Sequence, residues 1–152
     1  MTEVRAPTLV LIRHAKAESA DEGADHDRRL TSRGRAAAAE AGRWLASVVP
    51  APDTVWCSSA TRAVQTWAAI APSLPAAPDP VVDRGLYLAG PREVLEWLGA
   101  SPGASRVVVG HNPTIEHVLG SVTGELRGMR PGAVAVVDLD AGRLVDFWEP
   151  QR

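Results

Sequence analysis

The chain has four histidines, and two of them stand next to residues that give an imidazole something to do. Arg13-His14 follows the apolar run Leu9-Val-Leu-Ile12, and His111 follows Arg106-Val-Val-Val-Gly110. Between them, Ser58 ends Thr54-Val-Trp-Cys57, and Arg62 comes one helical turn later. Arginine presents a planar fork of donors that matches a phosphoryl group at two points. An imidazole with an ordinary pKa near 6.5 is neutral and nucleophilic close to neutral pH. Two arginines and two histidines meeting at one point would therefore make a phosphate site with a nucleophile in it. Taken singly, each residue has a plainer reading. His14 alone would be a hydrogen-bonded histidine at a strand end, Arg62 a surface helix residue paired with an acid, and Ser58 a turn or cap residue. The pattern rests on all four coming into register.

Elements that bring them together can be read from the same runs. Short unbroken apolar stretches rich in β-branched residues are typical of strands buried on both faces of a parallel sheet. Thr8–Ile12, Thr54–Cys57 and Arg106–Gly110 all read this way, and each is followed by polar residues. Open α/β sheets bind ligands outside the carboxyl ends of their strands, which is where Arg13, His14, Ser58 and His111 fall. The intervening segments read as helices. One opens after Leu30, capped by Thr31 or Ser32, with Ala37, Ala41, Trp44, Leu45 and Val48 on its apolar face and Pro50 and Pro52 beyond its end. A second carries Ala63, Trp67, Ile70 and Ala71, and a third runs from Pro91 to Leu98 with Gly99 closing it. Asn112 and Pro113 suit the cap and first residue of a fourth. Val81-Val82 reads as an edge strand, and Ala133–Leu139 with Leu144–Trp148 as a closing hairpin. The expected class is α/β, a three-layer α/β/α sandwich with a mostly parallel sheet and a C-terminal antiparallel hairpin.

Composition narrows the classes of function. The 152 residues fit one domain, 1–152, with 45% hydrophobic and 22% charged residues. A net charge of −2 supplies no basic field for sequence-independent nucleic-acid binding. No apolar run approaches the ~20 residues of a membrane span, and Met1–Pro7 lacks the apolar core of a signal peptide. The single cysteine, Cys57, excludes an internal disulfide and fits a reducing compartment. The expected location is cytoplasmic, with neither nucleic acid nor membrane as partner. Trp44, Trp56, Trp67, Trp97 and Trp148 fall mostly on apolar faces and read as core or rim fillers. Between Ala15 and Arg29 lies a long polar loop with Glu18, Asp21, Glu22, Asp25 and Asp27, followed by the cluster Arg28, Arg29, Arg33 and Arg35. His26 in that loop, and His117 on the fourth helix, read as solvent-facing.

Four motifs in chain order carry a resemblance to a known family. Arg13-His14-Ala15 resembles the Arg-His-Gly signature of the histidine phosphatase superfamily, whose fold is called phosphoglycerate mutase-like. Arg29-Leu-Thr-Ser-Arg-Gly34, Ser58-Ser-Ala-Thr-Arg62-Ala-Val-Gln-Thr66 and Val109-Gly-His111-Asn-Pro are similar to its further motifs. The short chain without a cap insertion looks most like the SixA-type phosphohistidine phosphatases. The resemblance implies that His14 attacks phosphorus and forms a transient phosphohistidine, which water then hydrolyses. Arg13, Arg62 and His111 would hold the phosphoryl oxygens, with Ser58 and Asn112 as further substrate-binding positions and no metal or cofactor. Inorganic phosphate would be the product, and the partner a phosphoprotein or a small phosphorylated substrate. The implied function is removal of phosphate from phosphohistidine on a signalling protein.

Two departures stand out. Alanine replaces the signature's glycine at position 15. Many members also carry a carboxylic acid, usually Glu, after the third strand to protonate the leaving oxygen; here the segment reads Asp83-Arg-Gly-Leu-Tyr-Leu-Ala-Gly90. Asp83 and Glu18 are the substitutes on offer. A missing acid favours phosphohistidine over alkyl phosphates, because a phosphoramidate nitrogen takes its proton from solvent more readily than an alkoxide does. The alternatives are a sugar- or nucleotide-phosphate monoesterase of the same fold, or a non-catalytic module that binds phosphate or a phosphoprotein. A metallohydrolase fits worst, since arginines beside the histidines repel a cation.

Overall fold

A computed structural model of the chain describes residues 7–19, 24–100 and 105–151. The first six residues and two of the acidic loop residues noted above, Asp21 and Glu22, lie outside the described residues. Six strands form one sheet: β1 (Thr8–Arg13), β2 (Thr54–Ser58), β3 (Val81–Asp83), β4 (Ser105–Gly110), β5 (Val134–Asp138) and β6 (Arg143–Trp148), in the spatial order β3-β2-β4-β1-β5-β6. The first four are mutually parallel, and β5 and β6 close the sheet as an antiparallel pair. The expected edge strand is β3, with Val81 and Val82 exposed.

Alternation along the strands divides the core into two layers. Val10, Ile12, Val55, Cys57, Val107 and Val109 face one side, against α1 (Ser32–Val48) and α2 (Thr61–Ile70). Leu9, Leu11, Trp56 and Val108 face the other, against α3 (Arg84–Leu88), α4 (Pro91–Ala100) and α5 (Thr114–Thr123). This is the mixed α/β sandwich expected, its sheet mostly parallel with an antiparallel C-terminal pair. Each Leu or Ile buried in it contributes about 1.5–3 kcal/mol relative to exposure.

Three local expectations are corrected. The buried stripe of α1 is Gly34, Ala38, Ala41, Gly42 and Leu45; Ala37 is only half-buried and Val48 is exposed. The helix turns its smallest residues inward because α2 and the β1 loop come very close. A Cβ at Gly42 would lie 2.9 Å from the Ile70 Cα, and one at Gly34 only 2.2 Å from the Lys16 carbonyl oxygen. Of the two caps expected for α1, Thr31 serves, its Oγ1 accepting the Gly34 amide at 2.9 Å. Helix α5 begins at Thr114, so Pro113 is its cap rather than its first residue, and Asn112 stands one position before the cap. Helix α4 runs one residue past Gly99, which therefore sits within its last turn.

The register sets the functional edge. Arg13 pairs with Gly110, Cys57 with Val109, and Ser58 with Asp83. The carboxyl ends of all four parallel strands thus finish in one row, and the His14 amide donates to the Gly110 carbonyl at 3.0 Å.

Candidate active site

His14 and His111 leave adjacent strand ends, and their rings lie 5.2 Å apart between centroids, tilted by 54°. Hydrogen bonds behind each ring determine which nitrogen is free. His14 Nδ1 is 2.8 Å from the Ala15 carbonyl oxygen, which can only accept, so Nδ1 carries the proton and Nε2 keeps a bare lone pair. His111 Nε2 is 2.7 Å from Ser58 Oγ. That hydroxyl is fully buried and accepts the Ala60 amide at 3.2 Å; its own proton has His111 Nε2 as its acceptor. His111 therefore carries its proton on Nδ1, which is buried with no partner among the described residues. One ring offers a nucleophile and the other a donor.

The two arginines follow the same scheme. Arg62 enters from the first turn of α2 and is only 5% exposed. Its terminal nitrogens donate to the Asp25 carbonyl at 2.7 Å and to Asp25 Oδ2 at 3.0 Å, while Nε is buried without a partner among the described residues. Arg13 donates through a terminal nitrogen to the Met129 carbonyl at 2.9 Å, and its Nε is likewise buried and unpartnered. A buried donor left unmade costs about 1–3 kcal/mol. Such donors on the arginines beside His14 and on the neighbouring ring of His111 are groups that an oxyanion could satisfy.

Ser58 and Asn112 turn toward protein partners. Ser58 supports His111, as described above. Asn112 donates to Glu116 Oε1 at 2.7 Å and to the Met129 carbonyl at 3.0 Å, and its Oδ1 accepts the Glu116 amide at 3.2 Å. Its side chain thus braces the carbonyl that holds Arg13. Neither candidate acid enters the row of donors. Asp83 caps α3, accepting the Gly85 amide at 2.7 Å and the Trp56 indole at 3.2 Å, and Glu18 is an exposed loop residue.

Residues that the motifs left without a role frame the site. Thr66 Oγ1 accepts the Ala15 amide at 3.0 Å and donates to the Arg62 carbonyl at 2.7 Å, tying the loop after β1 to α2. His26, expected in solvent, is half-buried, with Nε2 2.8 Å from Ser59 Oγ and its ring edge-on to Tyr87. Tyr87 also meets His111 edge-on at 5.5 Å and donates to Asp25 Oδ2 at 2.6 Å. His117 is exposed, as expected.

Electrostatics favour neutral imidazoles. Burial is the main cause that lowers His14 to about 4, opposed by its bond to Ala15 and assisted by Arg62, Arg13 and Arg28. Burial also leads in lowering His111 to about 3, with His14 and Arg62 adding to it. Both rings are therefore expected to be neutral at pH 5, where an ordinary histidine is mostly charged. The unfolded chain takes up these protons as pH falls through 6.5, and the native rings do so only near 4 and 3. Stability should thus fall as pH drops across that window and be level above it. Proton NMR titration of the four imidazoles, beside thermal melts at pH 7 and 4.5, checks this; normal titration of all four rings near 6.5 would refute it.

Comparison with known proteins agrees with this geometry. The family model of the histidine phosphatase superfamily (branch 1) matches residues 9–86. A relative from Mycobacterium tuberculosis, itself an uncharacterised protein, is 42% identical over 118 residues, covering 74% of this chain and 72% of that one. Among solved structures, a protein assigned as the phosphohistidine phosphatase SixA of Agrobacterium tumefaciens superposes with a TM-score of 0.87 at 31% identity, covering 97% of this chain and 100% of that one. Another, assigned as SixA of Nakamurella multipartitia, gives 0.83 at 34% identity, covering 97% and 98%. With its motifs gathered on one sheet edge and its sequence and fold matched along most of their length, the chain belongs to the histidine phosphatase superfamily (branch 1).

Proposed function

We propose that the protein is a phosphohistidine phosphatase that works through a covalent intermediate on His14. The observation carrying this reading is the arrangement at the strand ends. A neutral imidazole with its Nε2 lone pair free faces a site whose Arg13 Nε, Arg62 Nε and His111 Nδ1 are buried without partners. His14 Nε2 attacks phosphorus as the bond to the leaving group breaks, and the three N–H groups take up the charge on the phosphoryl oxygens. Water then displaces His14 and releases inorganic phosphate. Positioning and preorganised charge supply most of the acceleration, since the protein has little other covalent work to do.

The choice of substrate follows from the absence of a free carboxylic acid among the described residues at the site. Asp83 is occupied as a helix cap. Asp25 is held well below the usual carboxylate range, chiefly by the Tyr87 hydroxyl and then by Arg62 and Arg28, so it carries no proton to give. General-acid assistance is typically worth about 10²–10⁴-fold, and alkyl phosphates would forgo it here. A phosphoramidate nitrogen protonated from solvent does not need it. A phosphohistidine side chain on a protein is the substrate that suits these features.

The test is a panel containing a phosphohistidine peptide, a phosphoserine peptide, a sugar phosphate and a nucleotide, with the enzyme quenched for an acid-labile, alkali-stable phosphoenzyme. We expect kcat/KM for phosphohistidine to exceed that for the alkyl phosphates by about 100-fold or more. Equal rates across the panel would refute the substrate assignment, and absence of a phosphoenzyme would refute the intermediate.

A further inference from the structure

The loop between β1 and α1 is more closely tied to the site than its polar composition suggests. Its two arms are joined by the Ala17–Leu30 bridge and by the Glu18 amide on the Arg29 carbonyl, and Leu30 N–H ties the loop to Gln65 Oε1 of α2. At its far end, a short 3-10 turn (Asp25–Asp27) lies over the start of α2. Asp25 makes the densest set of contacts there. Its carbonyl and Oδ2 take the two terminal nitrogens of Arg62, Oδ2 also accepts the Tyr87 hydroxyl, and Oδ1 accepts Arg28 Nε at 3.1 Å.

We infer that Asp25 is a positioning residue, which grips Arg62 by the outer end of its guanidinium so that the inner Nε edge is presented to the transferring phosphoryl group. This deepens the proposed function and rests on it. Arginine has four rotatable side-chain bonds, and fixing them at the moment of reaction would cost entropy. Here the fork is ordered beforehand by a main-chain carbonyl and a carboxylate on the same residue. The bonds to Asp25 use one hydrogen of each terminal nitrogen, leaving Nε–H and a neighbouring N–H on the inner edge for two phosphoryl oxygens. The same carboxylate holds Arg28, whose charge bears on both imidazoles. Asp25 also fastens Tyr87, so one side chain sets an arginine of the site and its aromatic wall. Half of its side chain is exposed, which leaves the fold little dependent on it.

A competing expectation gives the test its edge. Were Asp25 an internal anion that plugs the arginine, removing it would free Arg62 and quicken the enzyme. Wild type, Asp25→Ala, Arg62→Ala and the double variant should be compared on p-nitrophenyl phosphate, whose activated leaving group is indifferent to the natural substrate. Vanadate and inorganic phosphate affinities should be measured by calorimetry beside them. Asp25→Ala is expected to lower kcat on the order of 10- to 100-fold and to weaken vanadate, which mimics the five-coordinate phosphorus, more than phosphate. Asp25→Asn, which keeps an oxygen acceptor, should recover part of the loss. In the Arg62→Ala background, Asp25→Ala should lose most of its effect on kcat and keep only the part carried by Arg28 and Tyr87. A kcat equal to or above that of wild type, or a full Asp25 effect without Arg62, overturns the inference. A wild-type protein that neither binds these anions nor turns over the ester overturns the proposed function and the inference together. Turnover of the ester without preference for phosphohistidine counts against the substrate assignment alone.

Discussion

His14→Ala is expected to lower turnover by on the order of 10⁴-fold or more, the scale seen when a covalent nucleophile is removed. The loss should fall on chemistry and leave binding in place. Among the described residues the ring makes one hydrogen bond, to the Ala15 carbonyl, so deleting it breaks little else. The phosphate-seeking donors sit on Arg13, Arg62 and His111 and stay where they are. Inorganic phosphate should therefore still bind while phosphoenzyme and product release vanish. The expectation depends on the state of the ring as much as on its position. A histidine lowered to about 4 is a free base at neutral pH, and with Nδ1 donating, Nε2 is the nitrogen with a lone pair to use. Rapid-quench labelling with a phosphorylated substrate, alongside phosphate titration by calorimetry, separates the two effects. Persisting turnover in His14→Ala would remove the nucleophile from the mechanism.

How much of this was legible in the chain depends on where the information lies. Leu9–Ile12 and Val107–Val109 are apolar on both faces, and only a central parallel strand buries both, so the sheet and its carboxyl edge follow from local pattern. Because parallel strands in register end together, Arg13, Ser58 and His111 could be placed at one edge without knowing the strand order. The hairpin at the C-terminus was equally local. The stripe of α1 was read from its apolar side chains, of which Ala41 and Leu45 are buried, yet the helix also buries glycines: Gly34 and Gly42 meet backbone too closely for any side chain. Close approach is a property of the partner, here Lys16 and Ile70, and periodicity in one helix does not contain it.

The same limit applies around the site. Asp25, Arg28 and Tyr87 sit in a loop and in a five-residue helix, where no period announces a role. Asp25 meets Arg62 across 37 positions and Tyr87 across 62. A faint signal existed: an acid three residues before an arginine in a loop long enough to fold back on the site. Ser58 and Asn112 were visible as polar residues at strand ends, but which way a hydroxyl or amide turns depends on neighbours. Ser58 found the ring of His111, and Asn112 found Glu116 and the Met129 carbonyl. Both now read as the supports of the donors beside them. The vacant place of the glutamate was legible as well, and the structure adds what occupies Asp83 instead.

Arg62→Ala is the second large effect, expected to lower kcat by on the order of 10²–10³-fold, or about 2.7–4 kcal/mol of transition-state stabilisation. The size follows from burial. At 5% exposure the guanidinium acts in a site where water screens little, and its Nε has no other partner to release when the phosphoryl oxygens arrive. Arg62→Lys distinguishes charge from geometry, because an ammonium keeps the charge and loses the fork. It should recover only part of the rate, and more of the phosphate affinity than of kcat. A second readout concerns the nucleophile. Among the charges that hold His14 down, Arg62 ranks first, and its removal also opens the ring to water. His14 should therefore titrate higher in Arg62→Ala, and the acid limb of kcat/KM should move up in pH relative to wild type. Asp25 keeps Arg28 and Tyr87 in the variant, so the loop has reason to stay in place. A mutant that loses rate with an unmoved His14 titration would mean that Arg62 acts on the substrate alone. One that keeps wild-type kcat would show that its buried Nε faces something other than the phosphoryl group.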